Sequence, residues 1–371
     1  MALLMLLFVV FMSVPYLIPH AGVFSLIGLV PLLCMERIAA LTGMKRFWIW
    51  HYSAFVLWNA VTTFWVCNAT VGGGIFAVLA NAFQMSLVFG TFRWSRRVLK
   101  GSLPYIFLAA LWIVWERYYL TVAQISWPWL VLGNSFARTV SLAQWYEYLG
   151  TLGGSLWIWV CNLGIFGLMV SLSDGNWWRL NAKAKFSAVA GCALAIFAPI
   201  VLSMSMYYSY KESSPALDVV VLQPNIDPYN KFQAMPQAQQ NIILMNQLSS
   251  ALTDRDSSAG MLLAVAPETF TGDIVTTDME RSATYRRFRG FLAEHPDVNL
   301  LFGASSYTII DTGAAPSANA RSLGDGRWVE SHNSALIMDG TGRSQIYHKS
   351  KLVVGVEMTP YPAFFTKVDD M

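Results

Sequence analysis

Met261-Leu262-Leu263-Ala264-Val265-Ala266-Pro267-Glu268-Thr269 reads as a short apolar strand, closed by a proline and followed at once by a carboxylate. Further on, Ser344-Gln345-Ile346-Tyr347 runs into His348-Lys349-Ser350-Lys351-Leu352-Val353, a second strand that ends on cations. Loops at strand ends are where layered α/β folds place their chemistry. The surrounding sequence supports that class. Asp218–Gln223 is a β-branched run stopped by Pro224-Asn225, and Val298–Ser305 and Ser334–Asp339 are further apolar runs of strand length. Residues 235–253 carry Ile242, Met245, Leu248 and Leu252 at helical spacing, and residues 279–294 carry Tyr285, Phe288 and Leu292 likewise. The turn Asp339-Gly340-Thr341-Gly342 predicts a hairpin. Strands alternating with helices, plus one hairpin, predict an α/β domain over 211–371.

The part before it belongs to another physical class. Hydrophobic residues make up 55% of the chain and charged residues only 13%, against about 25% charged for a soluble domain. Up to Tyr210 there are 12 Lys+Arg and 4 Asp+Glu, whereas from Lys211 onward there are 13 and 18. A helix needs about 20 apolar residues to cross the hydrocarbon core. Seven runs have suitable length: 2–18, 22–41, 51–69, 72–92, 103–121, 152–172 and 186–207. Residues 1–210 are therefore expected to form a membrane domain of about seven transmembrane helices. The first run also admits a signal peptide, but no clear small-residue cleavage site follows it.

Basic residues set an orientation. Lys45 and Arg46, then Arg93, Arg96, Arg97 and Lys100, then Arg179, Lys183 and Lys185 fall in alternate loops, with Arg138 the main exception. Basic loops stay in the cytoplasm, so seven crossings would put 211–371 outside it. The segment Thr121–Gly150, with Ser126-Trp127-Pro128-Trp129, is aromatic enough to lie along the membrane surface. Glu116 beside Arg117 is either an interfacial anchor or a functional intramembrane charge. Gly150 and Gly154 form a small-xxx-small pair. Cys34, Cys67, Cys161 and Cys192 all lie in the apolar half, with neither disulfide nor zinc spacing, and read as packed apolar residues.

In the second half a partly desolvated Glu268 is expected to have a raised pKa and to act as a general base. A neighbouring Lys349 can stabilise an oxyanion in acyl transfer. The same two residues also fit a plain salt bridge at a strand edge.

The second half resembles the nitrilase (carbon–nitrogen hydrolase) superfamily, through Pro267-Glu268-Thr269 and Tyr347-x-Lys349-x-x-Leu352. Taken with the apolar half, the chain resembles the apolipoprotein N-acyltransferase family. The segments in order are Trp115-Glu116-Arg117; Trp127-Pro128-Trp129-Leu130 with Leu132-Gly133; Val221-Leu222-Gln223-Pro224-Asn225-Ile226; Asn333-Ser334-Ala335; and Lys349-Ser350-Lys351-Leu352-Val353, Gly355-Val356-Glu357 and Pro360. Val354 departs from the pattern, standing where many members have proline.

The resemblance implies an αββα nitrilase-like sandwich, here incomplete at its C-terminal side. It makes Glu268 the general base, Lys349 the oxyanion-stabilising residue (with Lys351 its competitor) and Glu357 an additional essential glutamate. The partners implied are a phospholipid acyl donor and a diacylglyceryl apolipoprotein acceptor at the bacterial inner membrane, with the catalytic domain periplasmic. No cofactor, metal or nucleic acid is implied. The nucleophilic cysteine expected a few tens of residues after Glu357, and a final membrane helix, do not occur, so residues 1–371 are expected to be inactive alone. Two other readings remain: a membrane-tethered nitrilase-type amidase, and a degenerate, non-catalytic membrane protein.

Overall fold

Hydrocarbon offers no partners to a bare peptide group, so apolar runs of this length satisfy their backbones internally as helices. The computed structural model describes residues 1–212, 217–227, 231, 235–253, 255, 260–311, 317, 320–353, 357–358 and 361. Val354, Gly355, Val356 and Pro360 of the C-terminal motif lie outside them. The chain divides into two compact units, Met1–Lys211 and Glu212–Met371.

The first unit is helical: α1 (Ala2–Leu17), α2 (Val30–Leu41), α3 (Phe47–Thr63), α4 (Val71–Ser95), α5 (Leu103–Thr121), α6 (Tyr146–Ser173) and α7 (Ala182–Ser209), with short helical turns between them. Four stretches are long and apolar enough to cross a membrane: Gly22–Leu41, Val71–Ser95, Tyr146–Ser173 and Ala182–Ser209. The other three expected spans are helices of 16, 17 and 19 residues. Two of these carry polar groups that dilute their apolarity, His51 and Asn59 in α3 and Glu116 and Arg117 in α5. The interior is aromatic, with Phe8, Phe55, Trp58, Phe89, Trp112 and Trp159 fully buried. Among its buried polar groups, some pair with one another, as Ser86 does with His51 and Asn81 with Asn59, and others serve the backbone. Asn162 Oδ1 accepts from Leu29 N and Val30 N (2.8 and 3.1 Å), satisfying two donors at the start of α2, while its amide donates to Ser25 O and Ile158 O. At Gly150 (φ +64°) α6 kinks.

The second unit is built on one seven-stranded sheet in the order β1-β2-β4-β6-β5, with β3 on β4 and β7 on β6. The strands are β1 (Asp218–Val221), β2 (Leu262–Val265), β3 (Thr271–Val275), β4 (Val298–Ile310), β5 (Arg321–Ser322), β6 (Trp328–Met338) and β7 (Ser344–His348). Helices α8 (Gln237–Thr253) and α9 (Ala283–Glu294) pack on one face. There Leu244, Leu248, Phe288 and Leu292 bury Leu262, Ala264, Leu300, Phe302, Leu336 and Met338. Strands β1, β2 and β3 run parallel to their neighbours, whereas β6 is antiparallel to β4, β5 and β7. The molecule is thus an apolar helical domain followed by an α/β domain.

The expected hairpin is β6–β7: Asp339 Oδ1 accepts from Thr341 N and Arg343 N, and Gly342 takes the left-handed φ of +84°. Strands β3 and β5 are additions to the sequence reading, and β4 and β6 run longer than expected.

Candidate active site

Strands β2 and β3 lie end to end along the same edge of β4. Val265 pairs with Leu301 and Thr271 with Ala304, so five residues, Ala266–Phe270, stand opposite only Phe302 and Gly303. The excess is thrown out as a bulge, a device common beside active sites. Backbone bonds clamp both of its ends to Gly303, which donates to Pro267 O (3.0 Å) and accepts from Phe270 N (2.8 Å). Glu268 and Thr269 form the protruding tip. Thr269 has φ +49°, a costly conformation for a β-branched residue that its surroundings must enforce. Gly303 makes the close approach possible. A Cβ there would stand 2.5 Å from Glu268 Cα and 2.5 Å from Thr269 N.

Two strands over, β7 leaves β6 where Lys349 N donates to Asn333 O (2.7 Å). Asn333 therefore stands between the bulge and the strand end, and side chains from three segments meet around it. Lys349 Nζ lies 3.0 Å from Glu268 Oε1 and 3.0 Å from Glu357 Oε1. The Asn333 amide donates to the same two oxygens, at 2.5 and 2.6 Å. The second oxygen of Glu357 accepts from Val353 N (2.6 Å), fixing that carboxylate to its own loop. Two carboxylates thus share one ammonium and one amide.

Glu268, Asn333 and Lys349 of this set border a cleft of about 410 Å³ on the sheet face opposite the helices, lined also by Val265, Leu301, Tyr347 and Lys351. No ion pair joins Lys351 to a carboxylate among the described residues, and Lys349 is the lysine engaged with Glu268.

The electrostatics differ from expectation in one respect. The Lys349 ammonium, then the Asn333 amide, hold Glu268 below the usual carboxylate range, outweighing the opposing effects of burial and Glu357. The expected raised pKa is not found, because the bulge leaves the Glu268 side chain 62% exposed and the cation lies in contact. Burial disfavours the charged form of Lys349, but hydrogen bonds to Glu268 and Glu357 exceed it and its pKa is raised. For Glu357 burial likewise opposes ionisation, and Val353 N–H, Asn333 and Lys349 together keep its pKa low. The charged forms of all three are favoured. Among the described residues no three His, Cys, Asp or Glu side chains converge as a metal set.

The structure therefore brings together Glu268, Lys349 and Glu357. The roles of Asn333 and Gly303 were not read from the sequence. A glycine inside the apolar run Leu300–Ala304 is the signal that marks a bulge or close backbone approach. Asn333 stood in the sequence only as part of the Asn333-Ser334-Ala335 segment, with no role attached to it. Glu116, by contrast, is fully buried in the helical unit, where its Oε1 accepts from Leu132 N (2.8 Å) and Trp112 Nε1 (3.0 Å) and ties the aromatic segment to α5. Arg117 forms no ion pair with it among the described residues.

Residues 2–164 match the family described as Apolipoprotein N-acyltransferase N-terminal domain. Over 358 residues the chain is 23% identical to the apolipoprotein N-acyltransferase of Chlorobaculum tepidum. That alignment covers 93% of this chain and 62% of the relative, so the chain spans about three fifths of the relative's length. A family match confined to the helical unit and a relative aligned through both units agree in what this chain is similar to: the apolipoprotein N-acyltransferases.

Proposed function

We propose that this chain carries the membrane domain and part of the catalytic domain of an enzyme that moves a fatty acyl group from a phospholipid to the N-terminal diacylglyceryl-cysteine of an apolipoprotein. The observation that carries the reading is the Glu268–Lys349–Glu357 cluster, joined through Asn333 at an open cleft. In the first step a thiol gives its proton to Glu268 and the thiolate attacks the acyl-ester carbonyl. Lys349 stabilises the oxyanion, and Glu268 returns the proton to the departing lysophospholipid oxygen. In the second step the lipoprotein amine attacks the thioester, loses a proton through Glu268, and leaves as an amide while the thiol is restored. The third role falls to Glu357, which keeps Lys349 charged and in place.

The same reading sets the frame around the site. The seven helices cross the bacterial inner membrane with the basic loops cytoplasmic, and the α/β domain is periplasmic. The α/β domain is nitrilase-like, and the described sheet with α8 and α9 is one αβ half of an αββα sandwich. Domain limits near 1–210 and 211–371 follow from the change in composition.

The nucleophile is the remaining part. Cys34, Cys67, Cys161 and Cys192 all belong to the helical unit, and none belongs to the unit that holds Glu268. The reading assigns the acyl-carrying thiol to none of these four. Replacing all four with serine, in a polypeptide of the relatives' length, should leave thioester formation from labelled phospholipid intact. Residues 1–371 alone should form none. A thioester mapped to any of the four would overturn the mechanism.

A further inference from the structure

The tip of the Glu268 bulge is held from a side that the three-residue cluster does not reach. Gly303 clamps Pro267 O and Phe270 N, which leaves the carbonyls of Thr269 and Phe270 to find partners elsewhere. Both find them on the side of α8. Lys231 Nζ donates to the Thr269 carbonyl and to Thr269 Oγ1 (3.2 Å), while Gln237 Nε2 donates to Phe270 O (3.3 Å). Lys231 is itself anchored at its backbone. Its N–H donates to Asp227 O (2.9 Å), and its carbonyl accepts from Gln240 Nε2 (2.6 Å), a side chain only 2% exposed.

We propose that Lys231 is a positioning residue for Glu268: its ammonium locks the left-handed Thr269, and thereby fixes where the bulge presents the carboxylate. A left-handed threonine is unfavourable by itself and persists only where its neighbours impose it. Gly303 gives the tip room from below, but an absent Cβ permits a conformation without enforcing it. The enforcing contact is the Lys231 pair of bonds to the carbonyl and the hydroxyl of Thr269. Without it the Thr269 peptide can rotate toward an ordinary conformation and take the adjoining Glu268 out of reach of Lys349 and Asn333. Electrostatics point the same way. Burial holds the Lys231 ammonium below the usual lysine range, and the Glu268 carboxylate partly restores it, so the two charges sense each other.

The catalytic meaning of this inference rests on the acyltransferase reading, but its structural core can be measured without turnover. Hydrogen exchange of the 371-residue chain in detergent micelles reads the Phe270 and Gly303 amides, whose bonds close the bulge. In Lys231→Met, peptides covering these amides should exchange about tenfold faster, while those from α8 and β6 keep their rates; Lys231→Arg should restore protection. Unchanged bulge exchange overturns the proposal, as does equal acceleration throughout α8. Should Lys231→Met not fold, the comparison passes to Lys231→Gln, and protection equal to that of Lys231→Arg would overturn the need for a cation. In a form that makes thioester from phospholipid, Lys231→Met should lower kcat about tenfold with KM nearly unchanged, and Lys231→Arg should recover it. A wild-type protein without thioester would count against the acyltransferase reading and leave the exchange result standing.

Discussion

Each unit of this molecule holds a glutamate that the sequence singles out, and the two are built in opposite ways. Glu116 is fully buried on a regular helix and is met by neutral donors, the indole of Trp112 and the backbone of Leu132. Glu268 stands on an irregular, strained bulge, largely exposed, against a cation and an amide that it shares with a second carboxylate. Glu116 acts as a fixed acceptor that ties a loop to a helix. Glu268 can exchange its partners, because its contacts are side chains at an open cleft rather than a closed backbone socket. The buried carboxyl group in the apolar half is thus the architectural one, and the exposed carboxylate is the one suited to chemistry.

The largest expected effect tests that contrast directly. In a form active on phospholipid, Glu268→Gln should lower the rate of thioester formation by roughly a hundred- to ten-thousandfold, the range of a lost general base. Thermal stability should change little, because the Asn333 amide can still donate to the glutamine carbonyl. The same exchange at Glu116 should leave the rate nearly unaltered, since its amide oxygen can accept from Trp112 and Leu132 as before. Labelling assays on the two purified variants decide the matter. A severe loss at Glu116 with little at Glu268 would invert the assignment.

A smaller effect concerns the strained bulge. At Gly303 an added methyl would meet the Glu268 and Thr269 backbone at 2.5 Å, and backbone cannot swing aside like a side-chain end. Gly303→Ala should destabilise the α/β unit by about 1–3 kcal/mol, the usual range for overpacking. It should also depress activity by displacing Glu268. Gly290 makes a control in the same unit, because a Cβ there meets nothing within 4 Å. As a helical position, Gly290→Ala should hold or gain a few tenths of a kcal/mol. Thermal melts of the two variants that proved indistinguishable would remove the bulge from the account.

How much of this was legible beforehand follows the same division. Apolar runs are signals summed over many residues, and they located every long helix of the first unit. Strands β1, β2, β4, β6 and β7 announced themselves through β-branched and aliphatic runs. Glu268 and Lys349 were marked by their places at strand ends, where a plain salt bridge also fitted them; their catalytic roles, and Glu357 altogether, came from a resemblance. What stayed hidden depends on register. Strand β3, Thr271-Gly272-Asp273-Ile274-Val275, has a glycine and an acidic residue at its centre, and becomes a strand only because β4 offers it an edge. The depressed pKa of Glu268 was missed because it arises from Lys349, 81 positions away in sequence. The part of Asn333 was missed because an asparagine on a strand signals nothing until its neighbours across the sheet are known.

That asparagine sets the smallest and sharpest test of the contrast. It donates to one oxygen of Glu268 and one of Glu357, and both bonds favour the ionised forms. Removing the amide in Asn333→Ala should therefore raise both carboxylate pKa values toward the ordinary range of about 4.3, with Lys349 still holding Glu268 partly down. The sign follows from the proposed base role, in which Glu268 would work only when ionised. In the wild type, activity should persist to below the ordinary carboxylate range, and the acid limb of the pH–rate profile should lie higher in Asn333→Ala. Stability moves in the same sense. A carboxylate with a depressed folded pKa stabilises the fold above its unfolded value, and loses that contribution as pH falls through the folded one. Acid unfolding of Asn333→Ala should accordingly begin at higher pH. At neutral pH, where both carboxylates remain ionised in either protein, the rate should fall by no more than about tenfold, the scale of one hydrogen bond to a charged group. The profiles and acid melts can be recorded together on the same preparations. An acid limb that stays put, or moves downward, would mean that Asn333 holds the sheet together without tuning Glu268, which would then resemble Glu116 more closely than its exposed position implies.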